Sequence, residues 1–144
     1  MSKYILHTDG GARGNPGPAA AGVVIEGGKV GKRELSEYIG ETTNNDAEYQ
    51  AVIIGLKKLK SLVGSKKAGQ AEVTVMADSE LMVRQMNKEY KIKEKDLQEL
   101  FMQVWNLCLD FGSVEFLHVP RERNAGADIL VNAALDKEAG KLPL

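Results

Sequence analysis

Thr8-Asp9-Gly10-Gly11-Ala12-Arg13-Gly14-Asn15-Pro16-Gly17-Pro18 is the stretch on which the reading of this chain turns. It follows a short apolar run, Tyr4-Ile5-Leu6, and Asp9 stands where that run should end. After Asp9 come four glycines and two prolines within nine residues. Glycine permits close backbone approach and proline holds φ, so a shaped loop is expected rather than a floppy one. An acid at a strand end, followed by such a loop, could hold a metal and let a ligand's backbone come near. An ordinary turn, with Asp9 bonding the backbone two residues on, fits the same residues. The rest of the chain decides between them.

Working outward, residues 3–9 read as a first strand ending at Asp9, and residues 19–26 as a second. Gly27-Gly28 is a hairpin signal, and residues 32–39 return as a third strand. Thr42-Thr43-Asn44-Asn45 supplies caps for a helix in which Ala47, Ala51, Leu56, Leu59 and Val63 form an apolar stripe ending at Gly64. Glu48 falls in its first turn, where an acid suits the helix dipole in any case. Residues 65–70 read as a polar loop. Glu72–Ala77 is a buried fourth strand ending at Asp78, with Asp78 or Ser79 capping a short helix to about Asn87. Residues 88–95, four lysines against two glutamates, read as a solvated linker. A striped helix follows from Leu97 to Phe111, then a fifth strand at 114–119, a loop at 120–124 and a last helix, Ala125–Ala139. Asp128 lies in that helix's first turn. Strands joined in this order predict one α/β domain, residues 1–144, with a five-stranded mixed sheet: three antiparallel strands, then parallel additions.

Composition narrows the function classes. Nineteen Lys and Arg against twenty Asp and Glu give a net charge of −1, so a polyanion would have to be held by local patches or bound cations. No apolar run approaches the roughly 18 residues of a membrane span, and no secretory signal opens the chain. Cys108, the single cysteine, cannot form an internal disulfide; beside Val104, Leu107 and Phe111 it reads as a buried small hydrophobe in a reducing cytoplasm. No apolar seam stands out, so a monomer without a protein partner is expected.

Four acids share a placement pattern: Asp9 and Asp78 at strand ends, Glu48 and Asp128 in first helical turns. In open α/β sheets, ligands collect outside the carboxyl ends of the strands, where helices begin. Four carboxylates in one cleft are sustainable when cations neutralise them. All-oxygen ligation suits Mg²⁺ or Mn²⁺ rather than zinc, and two such ions suit phosphodiester cleavage. The glycine-rich loop matches neither a Walker phosphate loop nor a dinucleotide fingerprint.

The motifs Thr8-Asp9-Gly10-Gly11 with Gly14-Asn15-Pro16-Gly17, then Thr42-Thr43-Asn44-Asn45-Asp46-Ala47-Glu48, Ala77-Asp78-Ser79 and Ala127-Asp128 strongly resemble type 1 ribonuclease H, over about residues 3 to 138. The resemblance implies a ribonuclease H-like fold and endonucleolytic cleavage of the RNA strand of an RNA/DNA hybrid, leaving 5′-phosphate and 3′-hydroxyl ends. It implies that Asp9, Glu48, Asp78 and Asp128 are catalytic and bind two Mg²⁺ or Mn²⁺ ions. Asn15, Thr43, Asn44 and Asn45 match positions that touch the minor groove or hold a DNA phosphate, while Gly10 and Gly14 match positions where the RNA backbone approaches. Three departures stand out. Residues 119–124 hold no His, where many members carry one; His118 and His7 read as structural, and Arg121 or Arg123 as a phosphate contact. The family's basic, Trp-bearing handle is reduced to residues 88–95, with Trp105 packing in the next helix, which predicts salt-sensitive binding. No hybrid-binding module is read ahead of the domain, so processivity is not expected. A non-catalytic nucleic-acid-binding module, or a nuclease that also cuts double-stranded RNA, is the alternative on the same fold.

Overall fold

The first strand does not stop at Asp9. In the computed structural model, which describes residues 2–141, β1 runs over Lys3–Ala12. Pairing extends it: β2 (Gly17–Gly27) lies antiparallel to β1 in register from Tyr4↔Gly27 to Ala12↔Ala19. Gly10 and Gly11 are thus strand residues, and the shaped loop shrinks to a turn closed by the Arg13 N–H donating to Pro18 O at 2.8 Å. β3 (Gly31–Thr42) pairs antiparallel with β2, joined through a 3-10 turn at Gly28–Val30. β4 (Glu72–Ala77) and β5 (Ser113–His118) add in parallel, giving the order β3-β2-β1-β4-β5. The expected mixed sheet is present. Its parallel ladder between β1 and β4 ends at Thr8↔Ala77, so Asp9 is the first β1 residue beyond it.

The helices follow the sequence with local departures. α1 (Asn44–Val63) is capped by Thr43, whose Oγ1 accepts from the Asp46 N–H at 3.2 Å. The expected polar loop contains a single helical turn, α2 (Ser65–Ala68), because Ala68 is drawn wholly into the core. α3 (Glu80–Met86) is capped by Ser79, whose Oγ accepts from the Met82 N–H at 3.2 Å, which leaves the Asp78 carboxylate free. α4 (Lys95–Cys108) ends before Phe111, which packs into the core from the turn beyond. Where a loop was expected after β5, Arg121–Asn124 forms a 3-10 turn leading straight into α5 (Ala125–Ala139).

Helices cover both faces of the sheet. A Cβ at Gly10 would point at Ala47 of α1, and one at the next residue, Gly11, at Val131 of α5. Successive strand residues face opposite sides, so α1 and α5 lie on opposite faces. On the α1 face, Leu6, Val23, Val52, Leu56 and Val75 are fully buried in the main core. On the α5 face, Ala20 packs with Val131, Ala134 and Leu135. The small residues of β2 on that face let α5 lie close to the sheet.

Residues 88–95 are not a free linker. Gln85 Nε2 donates to Lys91 O at 3.3 Å, Gln98 Nε2 donates to Ile92 O at 2.8 Å, and the Arg84 guanidinium lies over the Tyr90 ring at 5.4 Å. Gln85 is itself held by Tyr49 Oη, which donates to its Oε1 at 2.7 Å inside the core. Trp105 does not pack as expected. It is 46% exposed, with Met102 and Leu109 exposed along the same side of α4; it sits one residue past buried Val104, about 100° round the helix and outside the stripe that meets α1. An apolar strip therefore exists where the sequence showed no seam. Cys108 is half-buried, and desolvation pushes its thiol up to about 11, as befits an inert small hydrophobe. His118 is exposed at the end of β5 rather than built into the core. Among the described residues, no helix is long and apolar enough to cross a membrane.

Candidate active site

Three carboxylates meet where the β1–β4 ladder ends. Asp9, Glu48 and Asp78 each place an oxygen so that these atoms lie within 4.8 Å of one another. Asp9 is supplied by β1 just beyond its last pair with β4, and Asp78 follows the last residue of β4. Glu48 comes from α1, but not from its first turn. With Thr43 as the cap, the first-turn acid is Asp46, and the dipole's benefit fades beyond that turn. Glu48 is instead buried beside Asp9. Burial of an acid that gains little from the helix dipole points to a role at the cleft.

Two glycines let the helices come this close. A Cβ at Gly10 would lie 2.2 Å from the Ala47 carbonyl and 2.5 Å from the Glu48 nitrogen. Opposite Asp9 on β2 stands Gly22, where a Cβ would lie 2.2 Å from the Ala127 carbonyl of α5. One glycine admits the backbone that carries Glu48, the other the backbone that leads into Asp128. A side chain at Gly10 would run into the protein's own helix, while Gly10 itself lines the cleft.

Asp128 stands at the side of the trio. It lines the same cleft, of about 440 Å³, with Asp9, Asn44, Glu48, Asp78 and Arg121, and its Oδ1 lies 3.6 Å from Arg121 Nη2. The Arg121 side chain is largely exposed, so the pair holds it only weakly. Of the two arginines considered, Arg121 is the one in the cleft. A larger hollow of about 830 Å³ lies around Tyr4, Lys29, Arg33 and Leu62 and contains no acid. It offers none of this chemistry.

The polar residues at the start of α1 brace the turn after β1. Asn44 Oδ1 accepts from the Ala12 N–H at 2.8 Å, and Asn15 Oδ1 accepts from the Asn44 N–H at 3.0 Å. Asn44 reaches the cleft; Asn15, Thr43 and Asn45 lie exposed beside it, and Gly14 turns the chain with φ +97°. Two cleft residues were not singled out in the sequence. Arg13 Nη2 donates to Asp136 Oδ1 at 2.7 Å, and Asn132 Nδ2 donates to Asp128 O at 3.1 Å. Asn132 follows Asp128 by one helical turn, and that spacing was the available signal. Arg13 had no such marker.

Electrostatics mark the trio as a cation site. Burial, then Asp78 and Asp128, push Asp9 up to about 7. Burial and the neighbouring charges of Asp9 and Asp78 raise Glu48 well above the usual carboxylate range, and burial also raises Asp78, with Arg121 opposing. Glu48 Oε2 is buried with no hydrogen-bond partner. An orphan carboxylate oxygen in an all-oxygen cluster fits a hard divalent cation.

Comparison with known proteins fixes the family. The profile of the reverse transcriptase-like family matches residues 7–134. The chain is 32% identical to the ribonuclease H of Hydrogenovibrio crunogenus, over 97% of this chain and all of that one. It superposes on LC11-RNase H1, isolated from compost, with a TM-score of 0.87 and 50% identity, covering 96% of this chain and 99% of that one.

The chain belongs to the type 1 ribonuclease H family.

The same compost ribonuclease H has been solved in complex with an RNA/DNA hybrid and superposes equally well, at TM-score 0.87 and 49% identity. A bifunctional protein of Mycobacterium tuberculosis is 40% identical over 139 residues, but this chain spans only 36% of that relative's length. The ribonuclease H-like sheet order sets Asp9 of β1 beside the end of β4, which Asp78 follows, so both reach the same edge as expected from the sequence.

A pH prediction follows. In chelator, the trio's carboxyls titrate above their unfolded values, so the native state binds more protons than the unfolded chain between about pH 4 and 7. Stability contributed by their protonation is present near pH 4 and lost as pH rises through about 7. Asp9→Asn removes much of that loss, and its advantage over wild type should grow across this window to roughly 2–4 kcal/mol by pH 7.5. Calorimetric melting at pH 5 and 7.5 in chelator checks it; an equal gap at both pH values contradicts it.

Proposed function

We propose that this chain cleaves the RNA strand of RNA/DNA hybrids endonucleolytically, using divalent metal held by its acidic trio. The observation that carries this reading is the convergence of Asp9, Glu48 and Asp78 within 4.8 Å, with a buried unpartnered Glu48 oxygen. Asp9, Glu48 and Asp78, with Asp128 beside them, would hold Mg²⁺ or Mn²⁺, two ions per site. Ions so held supply the positive charge that the attacking and leaving oxygens of an in-line displacement need. Water attacks phosphorus and the bond from phosphorus to O3′ breaks; the leaving oxygen takes up a proton, so the products are a 3′-hydroxyl and a 5′-phosphate.

The chain's own residues do the rest. Arg121, weakly held by Asp128, is free to meet a phosphate at the cleft's edge. Asn15, Thr43, Asn44 and Asn45 cluster at the N-terminus of α1, where amides and the helix end suit minor-groove edges and a DNA phosphate. Glu48, next to them, would also read a 2′-hydroxyl. The chain reads as a short-looped member: residues 119–124 hold no His, and residues 88–95 replace the basic handle. A single domain acting as a monomer in a reducing cytoplasm completes the reading; the lone thiol of Cys108 is in keeping with that compartment.

The test is cleavage of labelled RNA/DNA hybrid, duplex RNA and duplex DNA with Mg²⁺ or Mn²⁺, repeated from low to physiological salt. Expected is metal-dependent cutting of the hybrid's RNA strand, with affinity falling as salt rises. Binding without cutting by folded protein would favour the binding module. Equal cutting of duplex RNA would widen the substrate range.

A further inference from the structure

Asn124 is among the most completely buried side chains of the domain, at 1% exposure. It occupies the cap position of α5, where Asn is a favoured capping residue, yet its side chain makes no cap bond. Instead its Nδ2 donates to Thr8 O at 2.8 Å, across 116 residues of sequence. Thr8 is the last β1 residue paired with β4 and immediately precedes Asp9. Asn124 therefore closes the sheet at the point where the parallel ladder ends. Four residues on, one helical turn into α5, stands Asp128; three residues back stands Arg121.

The bond is made at a cost. Asn124 Oδ1 and Thr8 Oγ1 are both buried without partners. Each such atom is destabilising, and an apolar residue at position 124 would avoid leaving Oδ1 unpaired. Packing alone does not explain an amide there. We infer that Asn124 is a positioning residue: its amide straps the start of α5 to the backbone beside Asp9, which sets Asp128 and Arg121 at the correct distance from the acidic trio. Gly22 gives the helix room to approach, and Asn124 fixes where it stops.

The inference rests on the proposed hydrolysis, so wild type is run alongside the variants. Asn124→Leu keeps the branching at Cγ and removes both the donor and the orphan oxygen. It is expected to stay folded, with kcat on the hybrid 10- to 100-fold lower and KM within threefold, since a misplacement of about 1 Å can lower rates on the order of 10²-fold. Calorimetric Mg²⁺ titration without substrate should show at least threefold weaker binding. Asn124→Asp keeps the shape and loses the donor on ionising, so its kcat should approach wild type at acid pH and fall more steeply than wild type as pH rises. If the Leu variant does not fold, the Asp variant's pH profile decides. Wild-type kcat in the folded variants, or a loss that matches only their unfolded fraction, overturns the inference. Failure of wild type itself to cut would overturn the proposed function instead.

Discussion

Asp9→Asn is expected to abolish cleavage, lowering kcat at least a thousandfold while the fold persists. Asp9 is buried at the meeting point of the trio; its charge raises Glu48, and the charge of Asp78 raises Asp9 in turn. The amide has the same shape, so the β1–β2 register opposite Gly22 is undisturbed. What disappears is the negative charge that divalent metal requires at the centre of the cluster. A thousandfold corresponds to about 4 kcal/mol of transition-state stabilisation, a magnitude reasonable for charge placed at the reacting oxygens. Steady-state cleavage beside circular dichroism measures both halves. Activity within tenfold of wild type, in a folded variant, would remove Asp9 from the centre of the mechanism.

Gly10→Ala should be the most damaging small substitution in the site. The new Cβ would sit 2.2 Å from the carbonyl of Ala47 and 2.5 Å from the Glu48 nitrogen. These are backbone atoms of a well-packed helix, so no side chain can swing aside; α1 or β1 must shift. Overpacking of this kind costs about 1–3 kcal/mol and sometimes more. The same displacement draws Glu48 away from Asp9, so kcat should fall on the order of 10²-fold beyond any loss of folded protein. Gly11→Ala is the contrast in stability: its Cβ meets Val131 at 3.7 Å, an ordinary contact, and should cost under about 1 kcal/mol. Denaturant unfolding of the pair separates them, and equal stabilities would contradict the steric account.

Much of the site was legible because its markers are local. Asp78 follows an alternating strand, Thr43 caps a striped helix, and Asp128 follows the start of the last helix; each can be read within a few residues. Boundaries were less legible. β1 runs past Asp9 because β2 pairs with it, and a pairing partner leaves no signal in the strand itself. Glu48 looked like an ordinary dipole acid because only the observed cap shows that it lies beyond the first turn. Trp105 looked like packing because an isolated aromatic gives no direction around its helix.

By itself, the sequence determined the order of the strands and main helices, the α/β class and the oxygen-only character of the candidate acids. These depend on residue type and on periodicities of two or 3.6 residues, which act over short range. Only the tertiary structure decided that Asp9, Glu48 and Asp78 converge while Asp128 stands aside with Arg121. It alone assigned Gly10 and Gly22 to the approach of two helices, and Asn124 to Thr8 across 116 residues. Such relations depend on where backbones come to rest once both faces of the sheet are packed. Packing of distant segments is a property of the whole fold, and no stretch of sequence carries it alone.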